Sequence, residues 1–415
     1  MRRLRPLLML SVFLAAAPAL AQRADLPPPE TVIEALDNHP AVKAAAARVE
    51  AARASRDMLA RGPHEVTVEG GYVRRSVDYE GEFDEFDVSI TRPFRLPGKA
   101  ALDRKAGALE IEVAENRMAD VRHQVALDLS GLWHDWLTAA SLYRIDLETV
   151  RWLEAELSSL QRRVALRDAS ELEVDQAMAA LAQAEAQAAA SLAAREEARV
   201  TLSASFPEIP LPPEPPELVL PESPPQGLEA LRELVIEHSH EIRAAAREAE
   251  RLGVVSRRVG ADRFADPSFG VRMFSERSGM EKGAGVVVSV PLGGGHRRAA
   301  ADMASAEANA ARLELENVMR SVTAVADADL SNARTRLKAW QRAQAAAQSA
   351  AEAVGRTERG YQLGQIDLAD LLYARRLAND ARRAEIMARS DASRALLKIQ
   401  IDAHTIWSPD EDGDH

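Results

Sequence analysis

The sequence contains no cysteine, which removes a disulfide framework, a thiolate metal site and a cysteine nucleophile together. Aromatic residues are scarce at 4%, against 47% hydrophobic and 28% charged. The bulk is Ala, Leu, Glu and Arg, the mixture found in long helices packed side by side. An excess of basic charge is also missing. The formal net charge is −12, whereas a nucleic-acid binder carries a basic stripe, so no nucleic-acid partner is expected. Beyond the N-terminus no stretch stays apolar for ~18 residues, so no transmembrane helix is expected in the mature chain.

The first residues read as a secretory signal. Arg2, Arg3 and Arg5 form a positive start, Leu7 to Ala17 a short apolar core, and Ala19-Leu20-Ala21 a small-x-small site before Gln22. Residues 1–21 are therefore assigned to a signal peptide, and its loss takes the formal charge to about −15. Without cysteine the new N-terminus has no site for a lipid anchor. An exported chain of this kind that enters a membrane must do so as strands.

Two segments stand out: Lys99 to Arg163 and His296 to Thr357. Each carries a helical pattern that would run roughly 90–100 Å as one continuous rod. Met118, Val121, Val125 and Leu132 form one stripe, and Leu315, Val318, Val322 and Val325 another. Three pairs, Met118/Leu315, Val121/Val318 and Val125/Val322, share one separation, the mark of an internal duplication.

The rest of the chain follows the same doubling. A helix is expected from Glu30 to Arg61, stopped by Gly62-Pro63. Two alternating segments follow, Val66, Val68, Gly70, Tyr72 and then Phe86, Val88, Ile90, whose period of two is the strand signal. After the first rod a break at Arg167-Asp168-Ala169-Ser170 precedes a return helix from Glu171 to Ser203. Residues 206–227 hold nine of the 21 prolines, a density no helix crosses. The second half repeats the order: helix from Glu229 to Arg263, strands with Phe269, Val271, Met273 and with Val286, Val288, Val290, then the second rod, a turn at Gly364, and a helix from Asp367 to His404. The organisation is thus residues 22–205, first repeat; 206–227, linker; 228–404, second repeat; 405–415, acidic tail.

Six of the seven phenylalanines outside the signal (Phe83, Phe86, Phe94, Phe264, Phe269 and Phe274) lie in or beside the strands. A soluble antiparallel sheet with one buried face would show the same alternation. The export signal, the rods and the aromatic bias favour a transmembrane barrel with an apolar, aromatic-edged outer face. Four strands cannot close a barrel in lipid, so copies must share one. Two copies would give eight strands filled by side chains, three would give twelve around a lumen.

The doubled plan, the opening Asn38-His39-Pro40-Ala41-Val42-Lys43-Ala44-Ala45 and the tip Tyr361-Gln362-Leu363-Gly364-Gln365-Ile366-Asp367-Leu368-Ala369-Asp370 resemble the TolC-type outer-membrane efflux proteins over essentially the whole mature chain. The resemblance implies a mainly α protein with transmembrane β. Its form would be a trimeric channel-tunnel, with four strands per chain in a shared twelve-stranded barrel continued by a long α-helical periplasmic barrel. It implies a homotrimer in the outer membrane, docked on a periplasmic adaptor and an inner-membrane pump of an efflux or type I secretion system. The turn Arg95-Leu96-Pro97-Gly98-Lys99 is similar to that of the heavy-metal efflux branch.

By the same resemblance, Arg167, Asp168, Ala169, Ser170 and Leu363, Gly364, Gln365 would meet the adaptor. Asp370 matches the first of two acidic gate positions; the second is Tyr373 here, a departure from the pattern, and Asp367 is acidic and nearby. Three Asp370 carboxylates around an axis would attract cations and resist anions. Val66, Val68, Tyr72, Phe86, Val88, Ile90, Phe269, Val271, Met273, Val286, Val288 and Val290 would face lipid. No catalytic residue, metal or cofactor is expected. His238 and His240 are two apart and would not face each other on a helix, Gly293-Gly294-Gly295 fits no phosphate loop, and Asp410-Glu411-Asp412-Gly413-Asp414 lacks the closing Glu of a calcium loop. The rival readings are a periplasmic coiled-coil adaptor and a surface coiled coil without a pore. Both leave the two pairs of amphipathic strands unexplained.

Overall fold

The computed structural model describes residues 24–408. The expected signal peptide and the acidic residues from Asp410 to Asp414 lie outside them. In order the elements are α1 (Pro29–Asn38), α2 (Pro40–Arg61), β1 (Thr67–Val77), β2 (Gly81–Pro93), α3 (Lys99–Ala165), α4 (Glu171–Ser205), α5 (Leu228–Glu237), α6 (His240–Ala261), β3 (Ser268–Glu276), β4 (Glu281–Ser289), α7 (Gly295–Gln362) and α8 (Leu368–Asp402). Residues 206–227 form neither helix nor strand. The two rods are single helices of 67 and 68 residues. Each half thus reads helix pair, strand pair, long helix, return helix.

Two expected helices are each broken once, at matching places. His39 leaves helical geometry, its Nδ1 accepts from the Ala41 N–H at 3.3 Å, and Pro40 opens α2. Proline suits a first helical position because its missing N–H has no partner to lose. In the second half Ser239 does the same, its Oγ accepting from the Ile242 N–H at 3.2 Å to start α6. The apolar positions lapse over residues 37–40 and 237–241 but resume in phase at Val42 and Ile242, seven residues after Ala35 and Val235, so periodicity alone reads each pair as one helix.

The chain forms two compact units. One gathers the segment ending at Val32, Asp135–Pro221 and Ala347–Ser390; the other gathers Ile33–His134, Glu222–Ala346 and the segment from Asp391. In the first, Leu160 of α3, Val174 and Ala177 of α4 and Leu368 of α8 pack together. Loop residues Phe206, Ile209 and Leu218 are buried, and Arg389 donates to the Leu218 carbonyl at 3.3 Å. In the second, Leu228, Leu231 and Val235 of α5 pack with Ala326 and Ala333 of α7 and Leu396, Ile399 and Ala403 at the end of α8. The buried line of α7 runs through Ala301, Ala304, Ala308, Ala311, Val322, Ala326 and Ala333. Val325, assigned to the stripe from sequence, is 47% exposed while Ala326 is fully buried. A line that advances by four from Val322 reaches the alanine, whose small side chain lets helices approach closely.

The second unit also holds the sheet, four antiparallel strands in the order β1-β2-β3-β4. Its join to α3 is ionic. The Lys99 ammonium, 2% exposed, meets Asp262 at 2.8 Å, Asp266 at 2.9 Å and the Phe264 carbonyl at 2.7 Å. Asp266 also accepts from the Leu96 N–H at 2.9 Å and pairs with His64 at 3.2 Å. Burial alone would raise the Asp266 carboxyl, but the Leu96 N–H, Lys99 and His64 outweigh it and hold it down at about 2. A carboxyl lowered on folding stabilises the fold fully above its ordinary 3.8 and loses that contribution as pH falls through the lowered value. Asp266→Ala should cost about 3 kcal/mol, since it leaves a buried ammonium short of a partner. It should also flatten the acid limb of stability between pH 4 and 2, both measured by denaturant titration across pH.

Gly270 gives a second test. A Cβ there would lie 2.1 Å from the Ile90 carbonyl oxygen of β2, whereas one at Gly285 meets open space. Gly270→Val should break the β2–β3 pairing and cut the yield of folded protein severely, and Gly285→Ala should leave it intact, both read by limited proteolysis.

Candidate functional site: an apolar sheet face and two helical tips

The strand register decides which side chains share a face. Val68 lies opposite Ile90 and Tyr72 opposite Phe86; Val88 faces Met273 and Ile90 faces Val271; Phe269 faces Val288 and Val271 faces Val286. Because side chains alternate along a strand, the ten expected lipid-facing positions inside the strands fall on one surface. Val66 precedes β1 and Val290 follows β4, continuing the same alternation. All twelve are exposed, from 42% at Val88 and Ile90 to 78% at Val286. The opposite surface carries Thr67, Glu69, Asp87, Ser89, Thr91 and Arg272, with an Arg272–Asp87 ion pair at 3.4 Å.

The apolar face has aromatic ends. Tyr72 and Phe86 sit 5.1 Å apart toward the β1–β2 turn, and Phe94 and Phe269 sit 5.5 Å apart, edge to face, toward the helices. Valine, isoleucine and methionine lie between. Past Tyr72 the same face turns polar: its hydroxyl donates to Asp84 at 2.8 Å, and Arg74 pairs with Glu82 at 2.6 Å. This is a band with aromatic borders, the pattern expected of strands that face hydrocarbon.

The helical tips belong to the other unit. Both turns use one backbone design. After α3 the Asp168 N–H returns to the Arg163 carbonyl at 2.8 Å, and after α7 the Gln365 N–H returns to the Gly360 carbonyl at 2.9 Å. Each turn passes through a positive φ, +61° at Arg167 and +67° at Gly364. Glycine takes that conformation freely; arginine does so at a cost of about 1 kcal/mol. Arg163 helps hold the first turn, its Nε donating to Asp168 Oδ2 at 3.0 Å and its Nη2 to the Asp168 carbonyl at 3.2 Å.

The helices leaving the turns are capped in parallel. Ser170 and Glu173 form a reciprocal capping box at the start of α4. At the matching position before α8, Asp367 Oδ1 accepts from the Asp370 N–H at 2.9 Å. Asp367 thus serves the helix start, while Asp370 and Tyr373, three residues apart, are exposed on one face of α8 with Leu368 and Leu371 buried on the other. Tyr373 is 59% exposed and has the Arg376 guanidinium 5.6 Å from its ring centre. Ala169 packs on the core below, whereas Leu363 is 73% exposed.

Two features escaped sequence reasoning. Tyr361 links the long helices: Arg163 Nη1 donates to its hydroxyl at 2.9 Å, and that hydroxyl donates to Glu156 at 3.3 Å. Beside it runs a groove of about 1090 Å³ lined by Trp152, Gln183, Glu358, Arg375, Arg376 and Arg383, among others. The Arg375 guanidinium stacks 4.3 Å above the Trp152 ring and pairs with Glu358 at 3.0 Å. The available signal was the pair of doublets Arg375-Arg376 and Arg382-Arg383, one heptad apart and so on one helix face.

No helix among the described residues is long and apolar enough to cross a membrane. No curated protein matches the sequence significantly. Residues 231–400 match the family described as Outer membrane efflux protein. Among solved structures, the chain is similar to the outer-membrane channel OprN, with 20% identity, TM-score 0.77, and coverage of 92% of this chain and 91% of that one. It is also similar to the outer membrane protein VceC of Vibrio cholerae, with 17% identity, TM-score 0.74 and coverage of 90% and 95%. A membrane protein from Pseudomonas aeruginosa matches with 20% identity, TM-score 0.73 and coverage of 90% and 92%. Residues 231–400 are thus similar to an outer membrane efflux protein domain, and the chain as a whole shares the fold of these solved outer-membrane channels.

Proposed function

We propose that the chain is the outer-membrane channel of a tripartite efflux system, passively conducting substrates handed over by a periplasmic adaptor and an inner-membrane pump. The observation that carries this reading is the continuous apolar surface of the four-stranded sheet, exposed along its whole width and bordered by aromatics. A sheet with that face in lipid needs both edges paired, because unpaired backbone groups in hydrocarbon cost several kcal/mol each. Three copies supply twelve strands, enough for a lumen; two would give a filled barrel. The polar face then lines the pore. The reaction is permeation, so the chain needs a lined path rather than catalytic groups.

The tips fit the adaptor contact. The turns around Arg167, Asp168, Ala169 and Ser170 and around Leu363, Gly364 and Gln365 present short, capped loops. In a trimer, Asp370 and Tyr373 form successive rings on one helix face, the first acidic, the second aromatic with Arg376 beside it. The Asp370 ring favours cations by simple field, and the neighbouring Arg376 offsets part of that preference.

Purified mature chain should run as a trimer in detergent and form channels in planar bilayers. A monomer soluble without detergent would end the reading. Asp370→Ala should raise single-channel conductance or weaken block by multivalent cations, whereas Asp367→Ala should leave block unchanged and cost about 1 kcal/mol through the lost helix cap. An unaltered record for Asp370→Ala would remove the acidic ring from the gate.

A further inference from the structure

Four histidines converge in the second unit, none of them in the sheet. His404, just past α8, has the ring of His240 at 4.6 Å between centres, His123 at 5.5 Å and His238 at 5.8 Å. They come from α3, from the α5–α6 joint and from the end of α8. Among the described residues no group of three or more His, Asp or Glu is placed to hold a metal ion, so the cluster is a packing of imidazoles.

Its backbone setting is specific. His404 has φ +58°, and the Thr405 N–H returns to the Gln400 carbonyl at 2.9 Å. This is the left-handed helix stop, where glycine or asparagine is usual. The segment that follows is held at three points. His238 Nδ1 lies 3.2 Å from the Ala403 carbonyl. Arg122 Nη1 donates to the Trp407 carbonyl at 2.9 Å, with its Nε on Asp37 at 2.7 Å. The side chains of Ala403 and Trp407 are buried.

We infer that the four-histidine cluster is an acid-released latch, which pins residues 403–408 at neutral pH and frees them when His404 takes up a proton. Three rings packed on a fourth make a proton on His404 costly, because like charges at this spacing repel in a partly buried site.

The surrounding charges define the sign. Burial first, then His240, His123, His238 and Arg243, lower His404 to about 3. A base lowered on folding stabilises the pinned state above its ordinary 6.5 and loses that contribution as pH falls below it. On the α3 side, burial and then Glu241 raise the Asp120 carboxyl. On the α8 side, His123 Nε2 meets Asp402 at 3.0 Å, and Lys398 bridges Asp402 and Asp329 at 2.6 Å each. Burial and then the Asp402 carboxyl raise Asp329 to about 6. Its protonation favours the folded state in acid, the opposite direction, so the helices hold while the segment after α8 lets go.

The absence of cysteine makes the test direct. A spin label on Ser408→Cys should be immobile at pH 7.5. At pH 5 the ratio of mobile to immobile label should rise reversibly by at least about tenfold, as the proton linkage at His404 requires. His404→Asn keeps a side chain suited to positive φ and removes the titrating group; it should make the label insensitive to pH over this range. His404→Gly serves if the asparagine variant does not fold. A label whose mobility is the same at both pH values overturns the inference, as does an unchanged pH response in the His404 variant. Parallel loss of helical circular dichroism at pH 5 would also overturn it, since that is global unfolding.

Discussion

A lysine ammonium at 2% exposure is tolerable only where opposite charge and lone pairs surround it, and Lys99 has two carboxylates and a carbonyl. That cluster fixes where the first long helix begins and how the sheet leaves it. Asp103 extends it, pairing with Arg95 at 3.2 Å and Arg258 at 2.7 Å. One residue set, drawn from both halves of the sequence, therefore ties β2, α3, α6 and β3 into one corner. The second strand-to-helix join is built differently. Gly293, Gly294 and Gly295 are exposed, and an added Cβ there meets nothing within 4 Å. One join is locked by charge and the other is left free by glycine.

The duplication preserves backbone geometry more faithfully than residue type. His39 and Ser239 cap the second helix of each half. Ser170 and Asp367 cap the return helices, and Arg167 and Gly364 take the same left-handed turn. What each position requires is an acceptor at a helix start or a tolerable positive φ, and several side chains meet each demand. The halves differ where one needs an extra anchor: Arg163 braces the arginine turn, and the glycine turn has no such strain to brace.

The proposed function rests on surfaces. The sheet separates an apolar face with aromatic borders from a polar one, which suits a wall between hydrocarbon and water. The tips are short loops with satisfied helix ends, which suits docking without unfolding. In the proposed channel, the exposed Asp370 and Tyr373 along α8 would bring charge and bulk to a narrow passage.

Much of this was legible in the sequence because the signals are local. Proline and glycine mark the joints, period two marks the strands, and the long alanine-rich pattern marks the rods. The shared face of Val68, Phe86, Val271 and Val286 was legible too, since alternation assigns a face before any partner is known. The breaks at His39 and Ser239 were harder to read, because the apolar positions on either side keep one phase, Ala35 to Val42 and Val235 to Ile242, and a proline, Pro40, marks the first break alone. The Lys99 corner, the Tyr361 bridge and the four packed histidines were not legible. Their members lie far apart in the chain, and nothing in the spacing of His123, His238, His240 and His404 says that they meet. By itself the sequence determined the elements, their order and their faces, which depend on neighbours within a few residues. Tertiary structure alone decided which charges share a corner and which imidazoles share a pocket, because those contacts arise only when distant helices pack.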